Sequence, residues 1–228
     1  MKCQQIVILF LLFCTSTFGQ KKYSFDYMLE YEYQTTDTSK VEIQYFLTNS
    51  KDNSYCLYIQ EKDSLNLKLI FIDYNGTKST AHLDKISFAK AESVSLDCKI
   101  ISKFDNRFKG QTKNYDYNIE KDTLIDGSYY HPYILKSNNP KRESRKQTGS
   151  KVFVVEKNTS FHLPVFDHET SYEEWKLERN IPNGVPKVTY VKSYDGTEKY
   201  LIFRLVQYVP IKKYLIIPEK CDYSKILN

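Results

Sequence analysis

Glycine and proline are scarce in this chain, with seven of each in 228 residues. That composition excludes collagen-like repeats and Gly/Pro-rich low-complexity chains, and no linker separates two domains. After the first nineteen residues no run approaches ~18 consecutive apolar residues, so no second membrane span is expected. There is no nucleophile elbow, no phosphate-cradling glycine loop and no paired His-Glu helix motif. Charge of one sign is also lacking: 33 Lys+Arg face 28 Asp+Glu, and the net +5 is scattered. Solubility explains such a surface, and nucleic-acid binding does not.

Aromatic residues are abundant, with twenty Tyr and thirteen Phe. Their rings suit a half-buried pleated surface, and the hydrophobic pattern has period two. Phe25, Tyr27, Leu29, Tyr31 and Tyr33 alternate with Asp26, Met28, Glu30, Glu32 and Gln34. Val41, Ile43, Tyr45 and Leu47 repeat the pattern, then Tyr55, Leu57 and Ile59, then Leu65, Leu67, Leu69 and Phe71. Short polar turns separate these runs, and Asn75-Gly76 is a hairpin signal. Residues 23–84 therefore predict an antiparallel meander. The fold class follows as mainly β: a single curved antiparallel sheet or half-barrel with one or two short helices.

A second hairpin is expected over residues 184–218. Val188–Val191 and Tyr200–Tyr208 are its arms, and Asp195-Gly196 is its two-residue turn. The second arm is apolar on both faces, which predicts a central strand covered on both sides. Between the two regions, residues 85–95 read as a short helix or an irregular strand, and Tyr115–Ile119, Tyr130–Leu135 and Val152–Val155 as strands. Phe161–Phe166 reads as a strand interrupted by Pro164. Ser171-x-x-Glu174 predicts a helix start by a capping box. Asn138–Lys151, with the charge run Lys141–Lys146, reads as a solvated loop, or in a sharper reading as a patch for an anionic surface.

Residues 1–19 have the form of an export signal, with Lys2, an apolar core from Ile6 to Phe13, and Thr17-Phe18-Gly19 before cleavage at Gln20. A lipoprotein signal ending at Cys14 is the competing reading, and the large Phe13 ranks it second. The remainder, 20–228, is expected to be a single β-rich domain, periplasmic, outer-membrane-associated or extracellular.

Three cysteines remain after the leader: Cys56, Cys98 and Cys221. An exported protein permits one disulfide among them, and Cys56–Cys221 is the expected pair, tying the early meander to the tail. His162, Asp167 and His168, with Glu169 beside them, have ligand types that zinc accepts, at a spacing that matches no established motif. They are weak metal candidates, and no catalytic residue or cofactor is indicated. Asn75-Gly76-Thr77 and Asn158-Thr159-Ser160 match a glycosylation acceptor pattern.

Phe18-Gly19-Gln20-Lys21-Lys22, the Tyr-rich meander, the Gly184-Val185-Pro186 step and the final hairpin together resemble secreted Bacteroidetes proteins of the GLPGLI family. More distantly they resemble the LolA-like lipoprotein-carrier fold. The specific overlap is residues 182–218, and after Pro186 this chain continues Lys187-Val188-Thr189. The LolA-like resemblance implies a curved sheet closed on one side by short helices, with an apolar concave face for acyl chains. The leading expectation is thus an envelope carrier for an apolar or lipid-like ligand. An envelope protein-interaction module without a small-molecule site is the alternative, and an enzyme with a site assembled from distant residues the third.

Overall fold

The computed structural model describes residues 20–222. The leader, its cleavage point and Cys14 lie outside the described residues. The chain runs β1 (Lys21–Thr36), β2 (Glu42–Asn49), β3 (Asp52–Glu61), β4 (Asn66–Asp73) and β5 (Thr77–Asp84). Helix α1 (Lys85–Lys90) and strands β6 (Ser93–Ser95), β7 (Ile101–Lys103) and β8 (Tyr115–Ile119) follow. Then come β9 (Thr123–Ile125), β10 (Ser128–Tyr130), β11 (Pro132–Ser137), α2 (Pro140–Lys146) and β12 (Ser150–Val155). Helix α3 (Glu169–Glu178), β13 (Pro186–Lys192) and β14 (Lys199–Ile217) complete the order.

Twelve strands form one open sheet in the order β7-β5-β4-β3-β2-β1-β14-β13-β12-β11-β8, with β6 joining β14 in parallel. The remaining sheet pairs are antiparallel, and β1 to β5 pair as the predicted meander. Strand β14 is central, lying between β1 and β13 along its first half.

Burial on both faces of β14 does not hold. Leu201 is 45% exposed and Val206 51%. The register shifts against β13 between Thr189 and Val191, and against β1 between Glu30 and Tyr31. Each shift leaves an extra residue in β14, and such a bulge breaks the alternation and re-aims a side chain. Period two cannot be carried through it.

The meander strands are the ones buried on both sides. Leu47 and Leu57 belong to one apolar cluster with Tyr23, Phe25, Leu69 and Phe71, capped by Phe88 of α1, Leu96, Ile101 and Cys221. Their neighbours Phe46 and Cys56 point the other way, to a cluster with Leu29, Tyr31 and Phe203, closed by Val165 and Val185. The expected single face of β1 is therefore split between the two clusters, at the register shift between Phe25 and Tyr27. Connecting segments 85–104 and 156–186 supply the covers.

Local corrections have local causes. Residues 85–95 hold both a helix and a strand, and Asp84 caps the helix by accepting from Ser87 N. The polar stretch 138–151 contains α2, because Asn139 accepts from Arg142 N and Pro140 opens the first turn. Helix α3 starts at Glu169, with His168 rather than Ser171 as its cap. The β13–β14 connection runs through residues 193–198, and there only Gly196 has positive φ (+75°), so it is not a two-residue turn. Segment 161–166 is irregular and serves as a cover. Cys221 is disulfide-bonded to Cys98, not to Cys56, with Cα atoms 4.9 Å apart. Cys56 is a buried free thiol on β3, facing away from the tail's cluster.

Candidate functional site

The predicted metal candidates separate. His162 is fully buried, its Nε2 2.9 Å from Thr48 Oγ1 and its Nδ1 2.5 Å from the carbonyl of Leu163. A carbonyl only accepts, so Nδ1 carries the proton and Nε2 accepts from the threonine hydroxyl. Burial lowers the His162 pKa, partly offset by the Leu163 carbonyl, so the ring is held neutral. It works as a fastener between β2 and the 156–186 cover. Asp167 and His168 lie elsewhere, in a cleft between α2 and α3. His168 Nδ1 accepts from Thr170 N at 3.2 Å, which commits that nitrogen to capping. Among the described residues no group of three or more His, Cys, Asp or Glu is placed to hold a metal.

The cleft measures about 430 Å³, within the usual ligand-pocket range of ~300–1,000 Å³. Phe108, Tyr115, Leu135, Val191 and Leu201 give it apolar walls. Leu201 reaches it from a backbone with φ of +48°, a conformation uncommon for leucine. Gly149 lies on the rim, where a Cβ would come within 2.5 Å of the Lys192 carbonyl. Only glycine lets β12 approach there.

Polar side chains line the cleft as well. Lys151 Nζ pairs with Asp167 Oδ2 at 2.6 Å, both side chains mostly buried. The Arg142 guanidinium lies 4.9 Å from the centre of the Tyr115 ring. Its Nη2 donates to Gln111 Oε1 at 3.2 Å and more weakly to the Tyr115 hydroxyl at 3.4 Å. Among the described residues, Arg142 Nη1, Asp167 Oδ1 and Ser171 Oγ are buried without a hydrogen-bond partner. All three residues line this cleft. Buried polar atoms are rarely left unpaired, because the desolvation cost goes uncompensated.

Sequence reasoning missed Arg142, Lys151 and Ser171. Arg142 was hidden in a charge run, although Asn139 before Pro140, with Glu143 in the first turn, is a readable helix start. Nothing local marks Lys151 or Ser171, since their meeting depends on how α3 lies against β12.

No protein-family model and no curated protein sequence matches the chain. The GLPGLI resemblance therefore has no family match behind it. Among solved structures, the chain is similar to MucB, at 9% identity and a TM-score of 0.39, over 81% of this chain and 53% of that one. The MucA/MucB complex of Pseudomonas aeruginosa gives 8% and 0.39, over 82% and 52%. The chain spans about half the length of these structures, and superposition at this level leaves its function to be argued from its own cleft.

Proposed function

We propose that this chain is an exported binding module that holds a small ligand with an apolar body in the cleft between α2 and α3. The observation that carries this reading is an apolar-walled space of about 430 Å³ lined also by Arg142, Lys146 and the Lys151–Asp167 pair. A ligand that covers the walls removes their apolar surface from water. The wider carrier picture narrows accordingly. The sheet's apolar faces are covered by the chain's own segments, so a ligand has the cleft and not a whole concave face. Export rests on the leader composition of residues 1–19. No described helix is long and apolar enough to cross a membrane.

Native mass spectrometry before and after organic extraction tests for a passenger, and a fluorescent acyl probe tests for binding. Leu201→Glu, at a half-exposed wall position, should abolish probe binding while leaving the melt close to the parent's. A chain that takes up no passenger and no probe refutes the reading.

The rings of Tyr27, Phe161 and Tyr208 favour a second reading. They gather with centroids 5.2–6.4 Å apart, and Phe161 is 39% exposed. Aromatic side chains on a surface suit contact with another protein of the envelope. Phe161→Ser would weaken such a contact and leave acyl-probe binding intact.

A further inference from the structure

The charge of the ligand follows from the balance of charge along the cleft, and this step rests on the binding reading above. We propose that the cleft takes a single-chain amphiphile with an anionic head group. Three cations, Arg142, Lys146 and Lys151, line the space against one carboxylate, Asp167. Lys151 Nζ lies 2.6 Å from Asp167 Oδ2, so those two charges neutralise each other. Arg142 and Lys146 are left over, and among the described residues neither makes an ion pair. His168, also on the lining, adds no negative charge in either protonation state. Such a lining attracts an anion and repels a cation.

The helix that carries the two cations does not account for them. Arg142 and Lys146 stand four residues apart on α2, on one face of the helix, and like charges so placed repel. Arg142 lies in the first turn, where a cation also opposes the helix dipole. Its guanidinium is nevertheless held, 4.9 Å from the centre of the Tyr115 ring and 3.2 Å from Gln111 Oε1. Neither partner has a carboxylate, so the positive charge is fixed in place without being cancelled. Little ordering is left to be done when an anion arrives. The apolar body has its own place. Phe108 and Leu201 line the same space and are 37% and 45% exposed. An alkyl chain laid on them removes that surface from water.

Isothermal titration calorimetry of the purified chain decides it, using decanoate, decyl sulfate, decanol and decyltrimethylammonium below micelle-forming concentrations, with acetate and sulfate as chainless controls. Decanoate, decyl sulfate or both should bind about tenfold tighter than decanol, as expected for one charge-assisted contact, and decyltrimethylammonium should bind more weakly than decanol. Whichever anion leads supports the class and names the head group. Arg142→Gln should cut the preference for the anion over decanol to about twofold and leave decanol itself unchanged. If that variant does not fold, Lys146→Glu at an exposed position carries the same test, and it too should bring the preference close to unity. Decanol binding as tightly as both anions, or decyltrimethylammonium binding tightest, overturns the charge assignment and leaves the binding reading standing. An anion preference that survives both substitutions undiminished also overturns it. Acetate or sulfate binding as tightly as its decyl form means an ion site without an apolar body and overturns both readings. No binding by any of the four decyl probes overturns both as well.

Discussion

Glu174 on α3 is only 4% exposed, and it shares a groove with Asp116, Glu178 and Asn180. Burial first, then the like charges of Asp116 and Glu178, raise its pKa to about 7. A raised folded pKa favours the protonated acid in the fold. The stabilisation is therefore full below about pH 4.5 and is lost as pH rises through 7. Glu174→Gln should melt above the parent at pH 8, by about 2–4 °C, and the gap should close below pH 5. Scanning calorimetry at the two pH values checks the sign. Gly184 has the opposite character, because nothing else fits. Its φ is +145°, and a Cβ would lie 2.4 Å from Val155 Cγ1 and 2.9 Å from Thr159 Oγ1. Those contacts close the 156–186 cover, where Thr159 Oγ1 also accepts from Val185 N at 2.9 Å. Gly184→Ala should cost about 2–4 kcal/mol, read as a lower denaturant midpoint at unchanged slope.

At the scale of elements, β13 and β14 show how far patterning carries. Their existence and pairing were legible, as was the central place of β14, since two apolar runs around a turn admit few arrangements. The bulges that expose Val206 and bring Leu201 to the cleft wall were not, because a bulge changes no composition. The turn differs from its sequence signal as well. Asp195 Oδ1 accepts from Thr197 N and from the hydroxyls of Ser193 and Thr197, so side chains hold a longer loop. Gly196→Val would meet only the flexible Lys192 side chain, and its cost should be limited to the positive φ, about 1–2 kcal/mol. Phe203→Ala should cost more, about 3–5 kcal/mol, because Phe203 is 8% exposed among Tyr31, Tyr33 and Phe46. Urea melts of the two variants rank them, and a larger loss from Gly196→Val would move the folding determinant back to the turn.

For the whole molecule, the Cys98–Cys221 bond ties the cover after α1 to the tail across 123 positions. Cys221 is fully buried against the same cluster as Phe88, Leu96 and Ile101. Replacing both cysteines by serine should cost about 2–4 kcal/mol, and a reducing agent should lower the melt of the parent but not of the variant. In a chain beginning at Gln20, native protein should show no reactive thiol and denatured protein one, since burial raises the Cys56 pKa and shields its sulfur. What the sequence by itself determined is the class and the meander. Period-two alternation with short turns commits each strand to its neighbour, and both signals are local. Only the tertiary structure decided which cysteines meet, that Tyr23 and Phe25 face away from Leu29 and Tyr31, and that Arg142, Asp167 and Ser171 share one cleft. Those pairings join residues tens of positions apart, and they follow from where bulges turn the sheet and where the connecting segments come to rest on it.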